Sequence, residues 1–473
     1  MNRAQRTGLV MMAATFCLSV GLAAEKDAAH PKQAPRPVPR PALTAPPSQY
    51  HALPRVDTLL VGATVLDGAG GRIEEGDVLI RDGRIAAVGQ HLPQEKVLMI
   101  DAHGRWVTPG IIDIHTHYGT YLLPQTAAET SISDVLEDSD PNVADTWIEN
   151  AVRPGDPAFS RALASGVTTV QILPGSGALF GGRSVIVKPI PAVTLDQMRF
   201  PGAPQGLKMA CGANPASNFG SRGRFPNSRQ GEIAGIRAAF LDAQRYRAGW
   251  DDYLAGRKAD PPKRDLKMDT LVATLRGEMP VHLHCYRADD IATWIETLSE
   301  FGVHLTAVHH ATEAYKISAL LAEKHVCAAV WPDWWGFKRE AEDGIAENAA
   351  FVDAAGGCAI LHSDIPLLGD LLNVEAAKAA AAGRRAGLVI PPEKAIRWIT
   401  SNPAKALALE SQIGRIAAGM NADLVLWSGN PFSVYSKADL VFIDGAVAYD
   451  RHGASAQRLT DFELGRPQKE TAP

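Results

Sequence analysis

Thr108-Pro109-Gly110-Ile111-Ile112-Asp113-Ile114-His115-Thr116-His117 is the stretch whose reading decides the fold of this chain. An apolar, β-branched run enters it from the left and predicts a strand. Alternation along a strand puts His115 and His117 on one face, where the strand passes into its loop. Two imidazoles placed that way suit one shared divalent ion, whereas a lone histidine at such a place is more often structural.

Further strand-like runs follow: GVTTVQIL, SVIVKP, GLKMACG, MPVHLHC, HLTAVHH, VCAAVW and CAILHSD. Between several of them lie Ala-, Leu- and Glu-rich stretches suited to helices, such as DDIATWIETLSEFG, AYKISALLAEKH and EAAKAAAAGRRAG. Repeated β–α alternation implies a parallel sheet, and about eight repeats imply a closed (β/α)8 TIM-like barrel. We assign it to residues 108–408. An open doubly wound sheet is the structural rival, but no G-x-G-x-x-G follows an early strand. On either side, residues 56–107 and 409–455 carry short β-branched runs cut by Gly and Asp-Gly turns, predicting a small β-sandwich domain built from both termini. Residues 221–270 are charged and read as an insertion, either a solvated excursion or a lid and specificity element over the barrel mouth. Its arginines, among them Arg222, Arg224, Arg229, Arg245 and Arg247, would suit an acidic substrate.

The 473 residues are 46% hydrophobic and 21% charged with net charge −5, enough to bury a large core and without the clustered basic charge that nucleic acid requires. Residues 1–24 read as a signal peptide: Arg3 and Arg6 precede an apolar run that ends in small residues at Gly21, Ala23 and Ala24. Residues 25–55 form a Pro-rich linker. The expected location is secreted or periplasmic. No other segment reaches the roughly 20 apolar residues of a membrane helix, so no span is expected after signal removal. Cys211, Cys285, Cys327 and Cys358 remain; an even count in an exported protein admits disulfides, but free core thiols are the favoured reading.

His284, His310 and Asp364 each close a strand-like run, and in a barrel such ends converge on one rim. Four histidines and a carboxylate exceed what one tetrahedral zinc takes, which suggests two divalent ions, zinc being the expected metal, with a group bridging them. The set TPGxxDxHxH, His284, His310 and His-Ser-Asp364, with the tail SNPAKALALESQIGRIAAGMNADLVLW, resembles the amidohydrolase superfamily over about residues 56–450. GVTTVQILPGSG, GLKMACGANP, HLHCYRADDI and HATEAYK are similar to its imidazolonepropionase-like branch. The resemblance makes His115 and His117 ligands of a buried ion, and His284 and His310 ligands of a more exposed one. Asp364 would contact the buried ion and act as general acid/base. A carboxylated lysine would bridge; Lys208 matches the setting, with Lys188 as rival. His282 alternates with His284 like a second His-x-His and is its rival as ligand, His284 lying nearer the loop; His309 is expected behind the site, and His362 beside it as a substrate or supporting contact. Asn214, Tyr286, Arg287 and Tyr315 follow strand ends and are candidates to hold substrate.

These residues imply hydrolysis of an amide or peptide-like C–N bond in a small molecule, with water activated by metal and its proton handled by Asp364. A deaminase or a cyclic-amide hydrolase (imidazolone or lactam) is the nearest alternative. Deaminases and imidazolonepropionases carry an acidic residue shortly after the strand-five histidine, where this chain has Cys285, Tyr286 and Arg287. A non-catalytic metal-binding scaffold is the alternative of another class. A homo-oligomer is compatible with the sequence.

Overall fold

The computed structural model describes residues 44–453 except 132. The segment read as a signal peptide and the first part of the Pro-rich linker, 25–43, lie outside the described residues.

Both ends of the described chain build one mixed sheet. Its eight strands include Thr58–Leu66, Arg72–Arg81 and Arg84–Gly89 from the first part, with Trp106–Pro109 pairing against Leu424–Trp427 from the last. The expected β-sandwich is therefore corrected to a single sheet. Leu424–Trp427 shows how the sheet is used: Leu424 and Leu426 enter a cluster with Val65, Ile80 and Phe442, while Val425 and Trp427 enter the main core. Alternate residues thus serve two cores, which is why LVLW is apolar throughout. The Trp427 indole donates to Thr108 Oγ1 at 2.9 Å, joining the sheet to the strand before His115.

The remaining strands carry the site. We label them β1 (Ile111–Thr116), β2 (Val167–Ile172), β3 (Phe180–Arg183), β4 (Val185–Val187), β5 (Leu207–Ala210), β6 (Val281–Cys285), β7 (Leu305–His310), β8 (Cys327–Val330) and β9 (Cys358–Leu361). β5 to β9 are successive parallel neighbours, and β1 is parallel to β2. No closed eight-stranded parallel barrel forms among the described residues. The strands fall into a six-stranded and a three-stranded sheet, because the segment holding β3 and β4 runs antiparallel to both its neighbours. SVIVKP, expected as a parallel barrel strand, is this antiparallel piece. On the other side the two sheets meet through an isolated bridge between Thr116 and Asp364.

The four cysteines are not free. Cys327 and Cys358 are register partners on β8 and β9, and Cys211 follows β5 beside Cys285 at the end of β6. Cα–Cα distances of 4.5 and 5.2 Å allow the two disulfides that the structure contains.

The charged 221–270 segment is dominated by a helix, Arg229–Leu254, opened by Ser228, whose side chain accepts from Gly231 N. Ile236, Phe240 and Ala243 are buried at helical spacing, and Phe240 packs edge-on against Phe180. This helix is a packed part of the wall. Four arginines of the segment are engaged elsewhere: Arg222 with Asp138, Arg237 with Glu300, Arg245 with Asp242, and Arg229 with Asp290 and Glu340. No helix among the described residues is long and apolar enough to cross a membrane.

Candidate metal centre

β1, β5, β6, β7 and the turn after β9 deliver their polar side chains to one place. His115, His117 and Asp364 place one ligating atom each within 4.8 Å of the others, and so do His115, His310 and His362. His115 Nε2 and His117 Nε2 lie 3.2 and 3.4 Å from Asp364 Oδ1. The His284 ring sits 4.2 Å from that of His310, centroid to centroid. His362, expected as a supporting or substrate contact, stacks on His115 at 4.9 Å and belongs among the potential ligands.

The backbone is bent to achieve this. His310 and Asp364 have φ of 71° and 64°, in the left-handed region that costs most residues energy. Asp364 N donates to His115 O at 2.8 Å. Asp113, fully buried, accepts from His115 N at 3.2 Å and Ser363 N at 3.3 Å, tying β1 to the turn of Asp364. Burial pushes the Asp113 carboxyl up to about 7.

Hydrogen bonds fix the imidazoles of the inner half. A carbonyl only accepts, so the 2.8 Å contact of His117 Nδ1 with Leu173 O places the proton on Nδ1 and leaves Nε2 with a free lone pair. His115 Nδ1 lies 3.1 Å from His309 Nδ1, and His309 Nε2 lies 3.0 Å from His282 Nδ1. Gln171 Nε2 completes the row 3.2 Å from His282 Nε2. A ligating His115 Nε2 requires its proton on Nδ1; the row accepts that proton when the Gln171 amide is turned so that its Oε1, otherwise buried without a partner, faces His282 Nε2. His309 thus stands behind the site, where strand alternation put it, and His282, the rival of His284 as a ligand, stands there with it.

Burial holds His115, His284, His309 and His310 well below the usual imidazole range, and His282 and His362 near 3, so all are neutral at neutral pH. Burial alone would raise the Asp364 carboxyl, but its contact with His117 and the fields of His117, His362 and Lys208 outweigh it, holding it below the ordinary value. Neutral imidazoles around an ionised carboxylate are the protonation states a divalent cation needs. The fit has a second sign. Both ring nitrogens of His284 and His362, and Nδ1 of His310, are buried without a hydrogen-bond partner. Such groups are costly to leave unpaired, and a cation between them would satisfy several at once.

Lys208 is fully buried, 3.5 Å from His115 Nε2 and 3.1 Å from Pro174 O, and burial lowers its ammonium to about 7. The rival Lys188 is elsewhere, 2.7 Å from Asp444 and 3.3 Å from Asp423, which neutralise it against the terminal sheet. Tyr286 lies between His284 and His310, with ring distances of 4.8 and 5.3 Å. Asn214 lies near the rim, its Oδ1 accepting from Lys338 Nζ at 2.5 Å. Two of the residues expected to hold substrate stand apart from the cluster. Arg287 grips Asp289 with two hydrogen bonds at the exposed rim, and the Tyr315 hydroxyl donates to Asp343 O; neither joins the histidine cluster. Sequence reasoning passed over Asp113 and the run Trp331-Pro332-Asp333-Trp334-Trp335-Gly336-Phe337-Lys338 after β8. Four aromatic residues and a lysine at a strand end were the available signal.

Comparison with known proteins agrees with this arrangement. The amidohydrolase family matches residues 272–450. A solved amidohydrolase from Thermotoga maritima is 35% identical, with a TM-score of 0.76 over 83% of this chain and 100% of that one. Amidohydrolase tasK of Hapsidospora irregularis is 29% identical over 408 residues, 79% of this chain; the chain spans only 40% of that relative's length. An imidazolonepropionase of Stenotrophomonas maltophilia is 26% identical over 82% of this chain and 93% of its own. The family match and the relatives' names support a hydrolase acting on C–N bonds, and members of this superfamily typically bind divalent metals. The chain belongs to the amidohydrolase superfamily.

Proposed function

We propose that this chain is an exported, metal-dependent amidohydrolase that cleaves an amide or peptide-like C–N bond of a small molecule. The observation that carries the reading is the convergence of His115, His117 and Asp364 with the unpartnered ring nitrogens of His284, His310 and His362. Two divalent ions, zinc in the first instance, are held in this reading by His115, His117 and Asp364 on the inner side and by His284 and His310 on the outer. Lys208, as its carbamate, would be a further ligand, and its lowered pKa supports that, since the neutral amine is the form that takes up CO2, releasing a proton. The ions supply Lewis acidity and activation of water at neutral pH.

Asp364 is ionised at neutral pH, so it accepts the proton of the attacking water and passes it to the departing nitrogen. Tyr286 walls the side where His284 and His310 stand and keeps bulk water from it. Export is supported by the N-terminal pattern and by the two disulfides, which persist in oxidising compartments.

Opening of a cyclic amide is the second reading, and the likeness to imidazolonepropionases favours it. Against it stands the residue after His284, Cys285, which is in a disulfide and is no acid. The test is turnover of linear N-acyl amino acids and dipeptides beside lactams and imidazolones by zinc-loaded protein. Linear amides alone are expected to be cleaved. Cleavage of the cyclic compounds alone would replace the first reading by the second, and no hydrolysis with no bound metal would leave a scaffold.

A further inference from the structure

The segment after β8 overhangs the outer half of the site. Trp331 is 5% exposed and stacks on His310 at 4.4 Å and on Trp334 at 4.9 Å. Phe337 meets Tyr286 at 6.1 Å and Trp334 at 5.9 Å, and is itself 52% exposed. Tyr286, Trp331, Trp334 and Phe337 therefore form an aromatic wall that starts at the histidines and opens to solvent. The turn is held in shape, with Gly336 N donating to Ala341 O and Ala341 N to Lys338 O.

An aromatic wall of this kind ordinarily suits a cation. Here that place is taken: Lys338 Nζ lies 3.8 Å from the Tyr286 ring centroid, so a second cation would meet repulsion. Lys338 is half-buried, and one of its protons is used by Asn214 Oδ1. Its nearest carboxylate, Glu340, is 3.6 Å away, too far for a hydrogen bond, and its other oxygen is engaged by Arg229 and Ala213 N. The ammonium thus retains donors, and the Tyr286 ring it lies over stands 4.8 Å from the His284 ring, which sets it one side chain away from the centre. The indole N–H of Trp331, buried without a partner in the same wall, is a further donor.

We infer that Lys338 and the wall of Trp331, Trp334, Phe337 and Tyr286 form the specificity pocket, taking substrates that carry one free carboxylate and a large apolar or aromatic group. An ammonium already facing Glu340 at 3.6 Å matches a monoanion better than a doubly charged phosphate, which Glu340 and Asp290 would repel. The inference rests on the hydrolase reading above, to which it adds the substrate class: N-acyl or peptidyl derivatives of apolar amino acids with a free carboxyl end. The acidic substrate expected from the arginines of 221–247 is thus recognised by another residue.

Calorimetric binding to the full chain, zinc-loaded and metal-stripped, tests this with N-acetyl-L-phenylalanine, its carboxamide and N-acetyl-L-alanine as probes. The acid should bind at least tenfold more tightly than the carboxamide, and the phenylalanine acid more tightly than the alanine acid. Lys338→Met should collapse the first ratio towards one, and Lys338→Arg should restore most of it. Trp334→Ala should collapse only the second. Wild-type protein without the acid preference, or Lys338→Met protein that keeps it, would overturn the pocket. Turnover separates the two claims: selective binding without hydrolysis retires the hydrolase and keeps the pocket, and hydrolysis without selectivity does the reverse.

Discussion

The two halves of the histidine cluster are held by different means. On the inner side, His115, His117 and Asp364 are aimed by hydrogen bonds from the protein: Leu173 O, His309, the His115 carbonyl and, through the backbone, Asp113. On the outer side, His284, His310 and His362 have ring contacts but largely unpartnered nitrogens. There the strand ends are tied covalently instead, since the Cys211–Cys285 disulfide joins β5 to β6 one residue beyond His284. The inner half is preorganised without a ligand, whereas the outer half is completed by what binds in it. This predicts an ordered loading, inner ion first.

The largest expected effect is chemical. Asp364→Asn removes the proton acceptor together with one inner ligand, and should lower turnover by about 10²–10⁴-fold even at saturating zinc. Undiminished rates measured on metal-replete protein would break the assignment. Next comes metal affinity on the inner side. His309→Phe keeps the packing but removes the acceptor behind His115 Nδ1, and should weaken the tighter ion by about 10–100-fold in a competitive chelator titration. Equal weakening of both ions would erase the contrast between the halves.

The disulfides sharpen it further. Replacing Cys211 and Cys285 by serine opens a loop closed across 74 residues and should cost about 4 kcal/mol, read as a lowered denaturation midpoint. The weaker ion should be lost before the tighter one. Cys327–Cys358, with a separation of 31, should cost slightly less and leave metal binding alone.

The smallest effect concerns Glu232, which accepts from Gly212 N in the wall beside the outer half. Burial pushes its carboxyl up to about 8 from 4.5. Between those values the folded chain holds a proton that the unfolded chain has released, so stability falls as pH rises through that window. Glu232→Gln should flatten the fall, measured by urea denaturation at pH 5 and 8. An unchanged slope would assign it to other groups.

What could be read beforehand divides along similar lines. His115, His117, His310 and Asp364 were legible because an apolar strand that ends in a polar ligand carries its meaning within a few residues. Lys188 and Lys208 sit in look-alike runs, SVIVKP and GLKMACG, and only partners more than 200 residues away, Asp423 and Asp444, separate them. Strand direction is equally invisible to pattern, so the segment of β3 and β4 passed for a parallel strand. The cysteine pairs depend on register: Cys211 stands three residues after Lys208 and Cys285 three after His282, and Lys208 and His282 are register partners. That equality was visible in the sequence, but it acquires meaning only once β5 and β6 are known to be neighbours.

The central claim is that two ions sit between these particular side chains. Anomalous diffraction at the zinc edge from crystals of the zinc-loaded chain tests it most directly. The account predicts two peaks, one among His115, His117 and Asp364 and a weaker one beside His284 and His310, the weaker vanishing first as zinc is titrated out. A zinc peak held by other residues, or none in this cluster at saturating zinc, would contradict it.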